Sequence, residues 1–113
     1  MKFNEFIELE MKKRDMSIRE FSRFVGISHS AVSKYLSHPD TKSISIEFMV
    51  RVADATNTDL ASIVAMVYPE HTTVNAEVRI LAERIANLPP DKRKMVDSLL
   101  LGLSIGLDNG NDE

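Results

Sequence analysis

A histidine, several hydroxyls and an amine gather at helical spacing in the stretch GISHSAVSKYL, residues 26–36. His29, Ser33 and Ser37 recur every four residues, as do Ser30 and Lys34. On a helix these five share one face. Val32, Tyr35 and Leu36, with Ala31 beside them, would form the inner stripe. The chemistry of such a polar face is hydrogen bonding. Imidazole donates or accepts according to its protonation, hydroxyls do both, and the lysine ammonium only donates. The face is either the wet side of a surface helix or a surface that reads a polar partner.

Other chemistries find little support. His29, His38 and His71 have no metal-ligand spacing with one another or with nearby carboxylates. Four isolated glycines cannot build a loop that cradles phosphate. Ser28, His29 and Ser30 are adjacent, but no acid and no oxyanion framework accompany them. Neither an enzyme nor a cofactor is expected.

The polar face needs elements to hold it, and these read as helices. A first helix is expected from about Asn4 to Arg14, with Phe3, Phe6, Ile7 and Met11 as its apolar stripe. Ser17 with Glu20 three residues later has the form of a capping box. The second helix then runs from Ile18 to Val25 and stops at Gly26, where a positive φ costs least. Ser28 is placed to cap a third helix reaching Ser37. SHPDTKS forms a loop, and a fourth helix starts near Ser43 to Ser45 and runs to Ala55. Asn57 suits the position after its end, and Thr58 is expected to cap a fifth helix. Two helices crossing closely around Gly26 need a small residue at their contact. Ser22 can serve if its hydroxyl bonds the Ile18 carbonyl.

After Pro69 the pattern changes. Val74, Val78, Leu81, Ile85 and Leu88 follow a 4-3-4-3 spacing, the seam of a packed helix. Past LPP, a last helix from about Pro90 to Gly106 carries Val96, Leu99, Leu100, Leu103 and Leu107. This helical hairpin is too small for a substantial core of its own. It must therefore lie on the main domain or on another copy of the chain, and the spacing leaves both open.

Composition agrees with a globular chain. The 113 residues are 43% hydrophobic and contain no Cys, so neither a disulfide nor a thiolate metal site can form. The charged start, MKFNEFIELEMKKRD, lacks the apolar run of a secretory signal. No apolar stretch approaches the roughly 20 residues of a membrane helix. Net charge is −3, but its distribution matters more. Residues 1–68 hold nine basic and nine acidic side chains, while residues 69–113 hold five and eight. A neutral first part can still present a basic face, and Lys12, Lys13, Arg14, Arg19, Arg23 and Lys34 fall close together in it.

Five short helices with a glycine-centred turn between the second and third resemble the helix-turn-helix domain of the phage repressor and Cro group, the XRE family. The resemblance lies in SIREFSRFVGISHSAVSKYL, through Ser17, Phe21, Ser22, Val25, Gly26, Ile27, Ser28, Ser30, Val32, Ser33 and Tyr35. SISIEFMVRVADATNTDLASIV is similar to that family's fourth and fifth helices. The resemblance implies an all-α, five-helix, lambda-repressor-like DNA-binding domain over residues 1–68. A linker at 69–73, the two-helix extension at 74–107 and a frayed tail at 108–113 complete the expected organisation.

The implied function is a cytoplasmic, sequence-specific regulator of transcription, a repressor binding double-stranded DNA as a homodimer on a near-palindromic operator. His29, Ser30, Ser33 and Lys34 would contact bases. Ser17, Ile18, Arg19, Arg23, Ser28, Lys42 and Ser43 would contact the DNA backbone. Val74, Val78, Leu81, Ile85, Leu88, Val96, Leu99, Leu100 and Leu103 would form the dimerisation element. The chain departs from the family pattern in two places. Ile18 stands where the family often has a phosphate-binding Gln, leaving that contact to backbone N–H groups at the helix start. Met11 and Leu36 stand where many members bury an Arg–Glu pair, and these two are expected to touch. A rival reading keeps the fold but makes it a protein-interaction module, such as an antitoxin, with a regulatory protein as partner.

Overall fold

The computed structural model describes residues 1–39, 44–68 and 75–99. They form α1 (Phe3–Arg14), α2 (Ile18–Val25), α3 (His29–Ser37), α4 (Ile46–Thr56), α5 (Leu60–Val67) and α6 (Ala76–Ala86). A further helix, α7, is described over residues 90–99. No strand occurs among the described residues, so the chain is all-α as expected.

Short polar side chains set most of the helix starts. Ser17, Ser28, Ser45 and Asn75 accept from the backbone N–H of Glu20, Ala31, Phe48 and Val78. Each satisfies a donor that a helix start leaves unpaired. The fifth helix departs from expectation. Thr58 does not cap it: α5 begins after Asp59, whose side chain makes no cap bond. The Thr58 hydroxyl is taken by the end of α4, accepting from Thr56 Oγ1 at 2.9 Å and donating to the Thr56 carbonyl at 3.3 Å. The Asp59 carboxylate faces Arg79 of α6 at 3.5 Å. Asn57 ends α4 in the left-handed region, φ 52°, which asparagine tolerates.

The core lies where α1 to α5 converge. Phe3 and Ile7 of α1, Phe21 of α2, Val32 of α3, Ile46 and Met49 of α4, and Ile63 of α5 are sealed from solvent. Three aromatic rings fasten α1, α3 and α4 together. Phe3 lies 5.5 Å from Tyr35 and 6.0 Å from Phe48, and those two are 5.7 Å apart between centroids. Separations of this size suit tilted and edge-on aromatic packing. Tyr35 thus belongs to the core. Met11 and Leu36 both pack, half-buried, against this core. A buried carboxylate sits beside Met11 instead of across from it. Glu10 pairs with Arg14 at 3.2 Å and with Lys13 at 3.6 Å. The Arg14 guanidinium in turn lies 4.6 Å above the Phe24 ring, joining the end of α1 to α2.

The helices after residue 75 lie against this body. α6 packs on α5, with Ala82 buried and Val78, Ile85 and Ala86 half-buried against the core, as is Val96 of α7. Two polar clasps reach α4. The Asp97 carboxylate accepts from the Ile46 N–H at 2.6 Å. The Arg93 guanidinium donates to Glu47 and to the carbonyls of Leu88 and Ala86. The described part of the pair therefore packs on its own chain. The expected 4-3-4-3 seam does not all turn inward, because the buried line runs through 78, 82, 85 and 86. Leu81 faces out, 59% exposed, next to Ile80 at 52%. Met95 and Leu99 of α7 are exposed as well, at 61% and 66%.

Candidate nucleic-acid interface

The turn between α2 and α3 is fixed by local chemistry. Ser17 Oγ accepts from the Glu20 N–H at 3.2 Å, and Glu20 Oε1 accepts from the Ser17 N–H at 3.1 Å. This reciprocal pair is a complete capping box. The hydrogen bond from Ser17 holds the Glu20 carboxyl below the usual range. At the other end Gly26 sits at φ 77°, and the N–H groups of Gly26 and Ile27 both donate to the Ser22 carbonyl. Ser22 is buried and its hydroxyl donates to the Ile18 carbonyl at 2.7 Å, as its placement at the crossing requires. Ser28 then starts α3 by accepting from the Ala31 N–H at 3.2 Å.

Held this way, α3 turns its polar face to solvent. His29, Ser30, Lys34 and Ser37 are exposed, Ser33 is half-buried, and Val32 and Tyr35 are buried behind them. Arg19 and Arg23 are exposed on α2. Ile18 is half-buried, and its carbonyl is engaged by Ser22. The N–H groups at the start of α2 are less available to a phosphate than expected. Ser17 N–H is already bonded to the Glu20 carboxylate, which also places a negative charge there. Ser17 and Ser28 are exposed but use their side-chain oxygens as caps.

Of the expected dimerisation residues, Val78, Ile85, Leu88 and Val96 are half-buried, while Leu81 and Leu99 are exposed. Lys42, Ser43, Val74, Leu100 and Leu103 lie outside the described residues, as does the expected linker.

One cation near the turn was missed in the sequence. Arg51 of α4 reaches over Gly26, and a Cβ there would meet its Nη1 at 2.9 Å. Its Nε donates to Glu47 at 2.9 Å, so Glu47 serves both Arg51 and Arg93. Burial opposes ionisation of Glu47, but hydrogen bonds from the two arginines outweigh it and hold its carboxyl below the usual range. Glu47 and Arg51 stand four apart, a spacing readable in the sequence. Arg93 carries no local signal of its role. Among the described residues no group of metal-ligating side chains comes together. No described helix is long and apolar enough to cross a membrane.

Two helices locked around a left-handed glycine, the second with a buried back and an open polar front, define a helix-turn-helix domain. A profile of the helix-turn-helix family matches residues 7–63, and the chain belongs to that family in its XRE, Cro/C1-like form. Comparison with curated proteins and with solved structures gives no match. The family is one of DNA-binding regulators.

Proposed function

We propose that the protein is a sequence-specific regulator of transcription, a cytoplasmic repressor that binds double-stranded DNA as a homodimer. One observation carries the reading: α3 is supported from behind by Val32 and Tyr35 while His29, Ser30 and Lys34 stand open to solvent. A helix so presented fits the major groove, where base edges offer distinct donors and acceptors. His29, Ser30 and Lys34 read bases, with Ser33 contributing from its half-buried position. Arg19 and Arg23 meet phosphates on either side, which fixes register without reading sequence. Ser17 and Ser28, whose capping oxygens still carry a hydroxyl proton to donate, complete the backbone contacts together with Ile18, Lys42 and Ser43.

The dimer reading is supported by the exposed Leu81 and Leu99, joined by Ile80 and Met95. Val78, Ile85, Leu88 and Val96 underlie that surface, and Val74, Leu100 and Leu103 belong to the element by spacing alone. A dimer presents two copies of α3 to successive major grooves about 34 Å apart, which asks for a near-palindromic site. The same exposed apolar side chains favour a regulatory protein partner as the second reading.

Selecting duplexes from a random pool, with the mass measured by light scattering in the same buffer, tests both. Enriched sites with two related half-sites and a dimer mass support the repressor reading. No enrichment of any duplex contradicts it and favours the protein-interaction module.

A further inference from the structure

The carboxylate of Glu47 is gripped from two sides by arginines of different character. Arg93 is 15% exposed and is fixed by the Leu88 carbonyl at 3.0 Å and the Ala86 carbonyl at 3.3 Å besides Glu47. Arg51 is 48% exposed and binds Glu47 through Nε alone. Among the described residues its two terminal amino groups have no acceptor, and one of them lies against the Gly26 turn. Two cations share one anion, so the trio keeps one positive charge. That charge sits at the solvent-facing end, on Arg51.

We propose that Arg51 is a further phosphate-contacting residue of the DNA interface, and that Arg93 keeps it available by holding Glu47. The inference rests on the DNA-binding reading above. With Arg93 in place, one Glu47 oxygen is occupied and Arg51 is held through a single bond, leaving its amino groups for a phosphate beside the turn. With the C-terminal helix pair undocked, both Glu47 oxygens turn to Arg51. Arginine and carboxylate then pair through two parallel bonds, which neutralises the cation and withdraws it. Docking of the pair and phosphate contact thus favour each other, and the coupling is reciprocal. The helix pair so gains a route to the DNA face through a single carboxylate.

The full-length chain, titrated onto a pool-selected duplex across a potassium chloride series, tests this. Each phosphate contact adds about 0.9 to the slope of log affinity against log salt. R51A is expected to lose about that much slope. R93A is expected to lose a similar amount although its side chain lies among α4, α6 and α7, and R51A/R93A no more than either. E47Q in the R93A background restores the wild-type slope, because the competing charge is gone. An effect of R93A through misfolding would not be rescued by E47Q. An unchanged slope in R51A, or an R93A loss that E47Q leaves in place, overturns the proposal while the DNA reading stands. Absence of duplex binding by the wild-type chain overturns both.

Discussion

The two ends of this chain solve burial differently. Residues 1–68 build their own interior, with Phe3, Phe21, Ile7, Ile46, Met49 and Ile63 fully enclosed. Residues 75–99 bury only Ala82 among their apolar side chains and leave Ile80, Leu81, Met95 and Leu99 largely exposed. Their docking relies on a few half-buried aliphatics and on three polar contacts, Arg93 on Glu47, Asp97 on the Ile46 N–H and Arg79 on Asp59. The body encloses most of its large apolar side chains, whereas the helix pair adheres by one side and leaves Ile80, Leu81, Met95 and Leu99 exposed. Exposed apolar side chains of this kind suit an interaction surface, and the proposed dimer contact lies there.

The largest effect expected from this contrast is on stability. Phe3→Ala removes the ring that joins Tyr35 and Phe48, and should cost about 3–5 kcal/mol in urea unfolding. Leu81→Ser, at an exposed apolar position on the pair, should stay within about 0.5 kcal/mol when measured at protein concentrations low enough to keep the chain monomeric. A comparable loss at both sites would erase the distinction between the regions. Next in size is assembly. L81E/L99E should convert a dimer to a monomer in light scattering without lowering the thermal midpoint of the body. Retention of the wild-type mass would move the dimer contact elsewhere.

Smaller effects probe how the turn is held. Ser17→Ala removes the side chain that accepts from Glu20 N–H and should cost about 1 kcal/mol. Gly26→Ala imposes a Cβ at φ 77° and should cost about 1–2 kcal/mol. Arg51 can swing away from the new methyl, so the backbone conformation sets most of that cost.

The smallest effect is on pH dependence. Glu20 and Glu47, both lowered, contribute stability that is present above the ordinary glutamate value of 4.5 and is lost as pH falls through their folded values. Asp97 has the opposite sign. Burial raises it, against the hydrogen bond from Ile46, and the Glu47 charge adds to the rise. The folded chain therefore binds this proton more readily, and stability falls as pH climbs from 3.8 through the raised value. Urea unfolding across that window should show wild type losing ground to D97N as pH rises. Parallel curves for the two proteins would contradict it.

The same contrast governs what could be read from sequence. Features decided within four residues were legible: the Ser17–Glu20 box, the Gly26 stop, the Ser28 cap and the Ser22 bond to Ile18. Each is a local exchange between a side chain and a nearby backbone group. Features decided across the fold were not. Arg93 with Glu47, and Asp97 with the Ile46 N–H, join residues 46 and 51 apart, and neither partner announces the other. Burial of Glu10 has no local signal either, because a charged residue beside an apolar stripe reads as solvated until Arg14 is placed against it. Thr58 departs from expectation for a subtler reason. Its hydroxyl had a nearer competitor in Thr56, and helix caps and turn bonds draw on the same oxygen. Heptad-like spacing placed Leu81 in a seam, but spacing alone does not say which neighbour covers that seam.

The central claim is that the open face of α3 reads duplex DNA. Affinities of wild type and of H29A/K34A for a selected duplex and an unrelated one, measured at the same salt, test it most directly. Wild type should prefer the selected duplex by about a thousandfold or more. The double variant should lose most of that preference while keeping its weaker, salt-sensitive hold on any duplex. A variant that discriminates as well as wild type would contradict the assignment of that face.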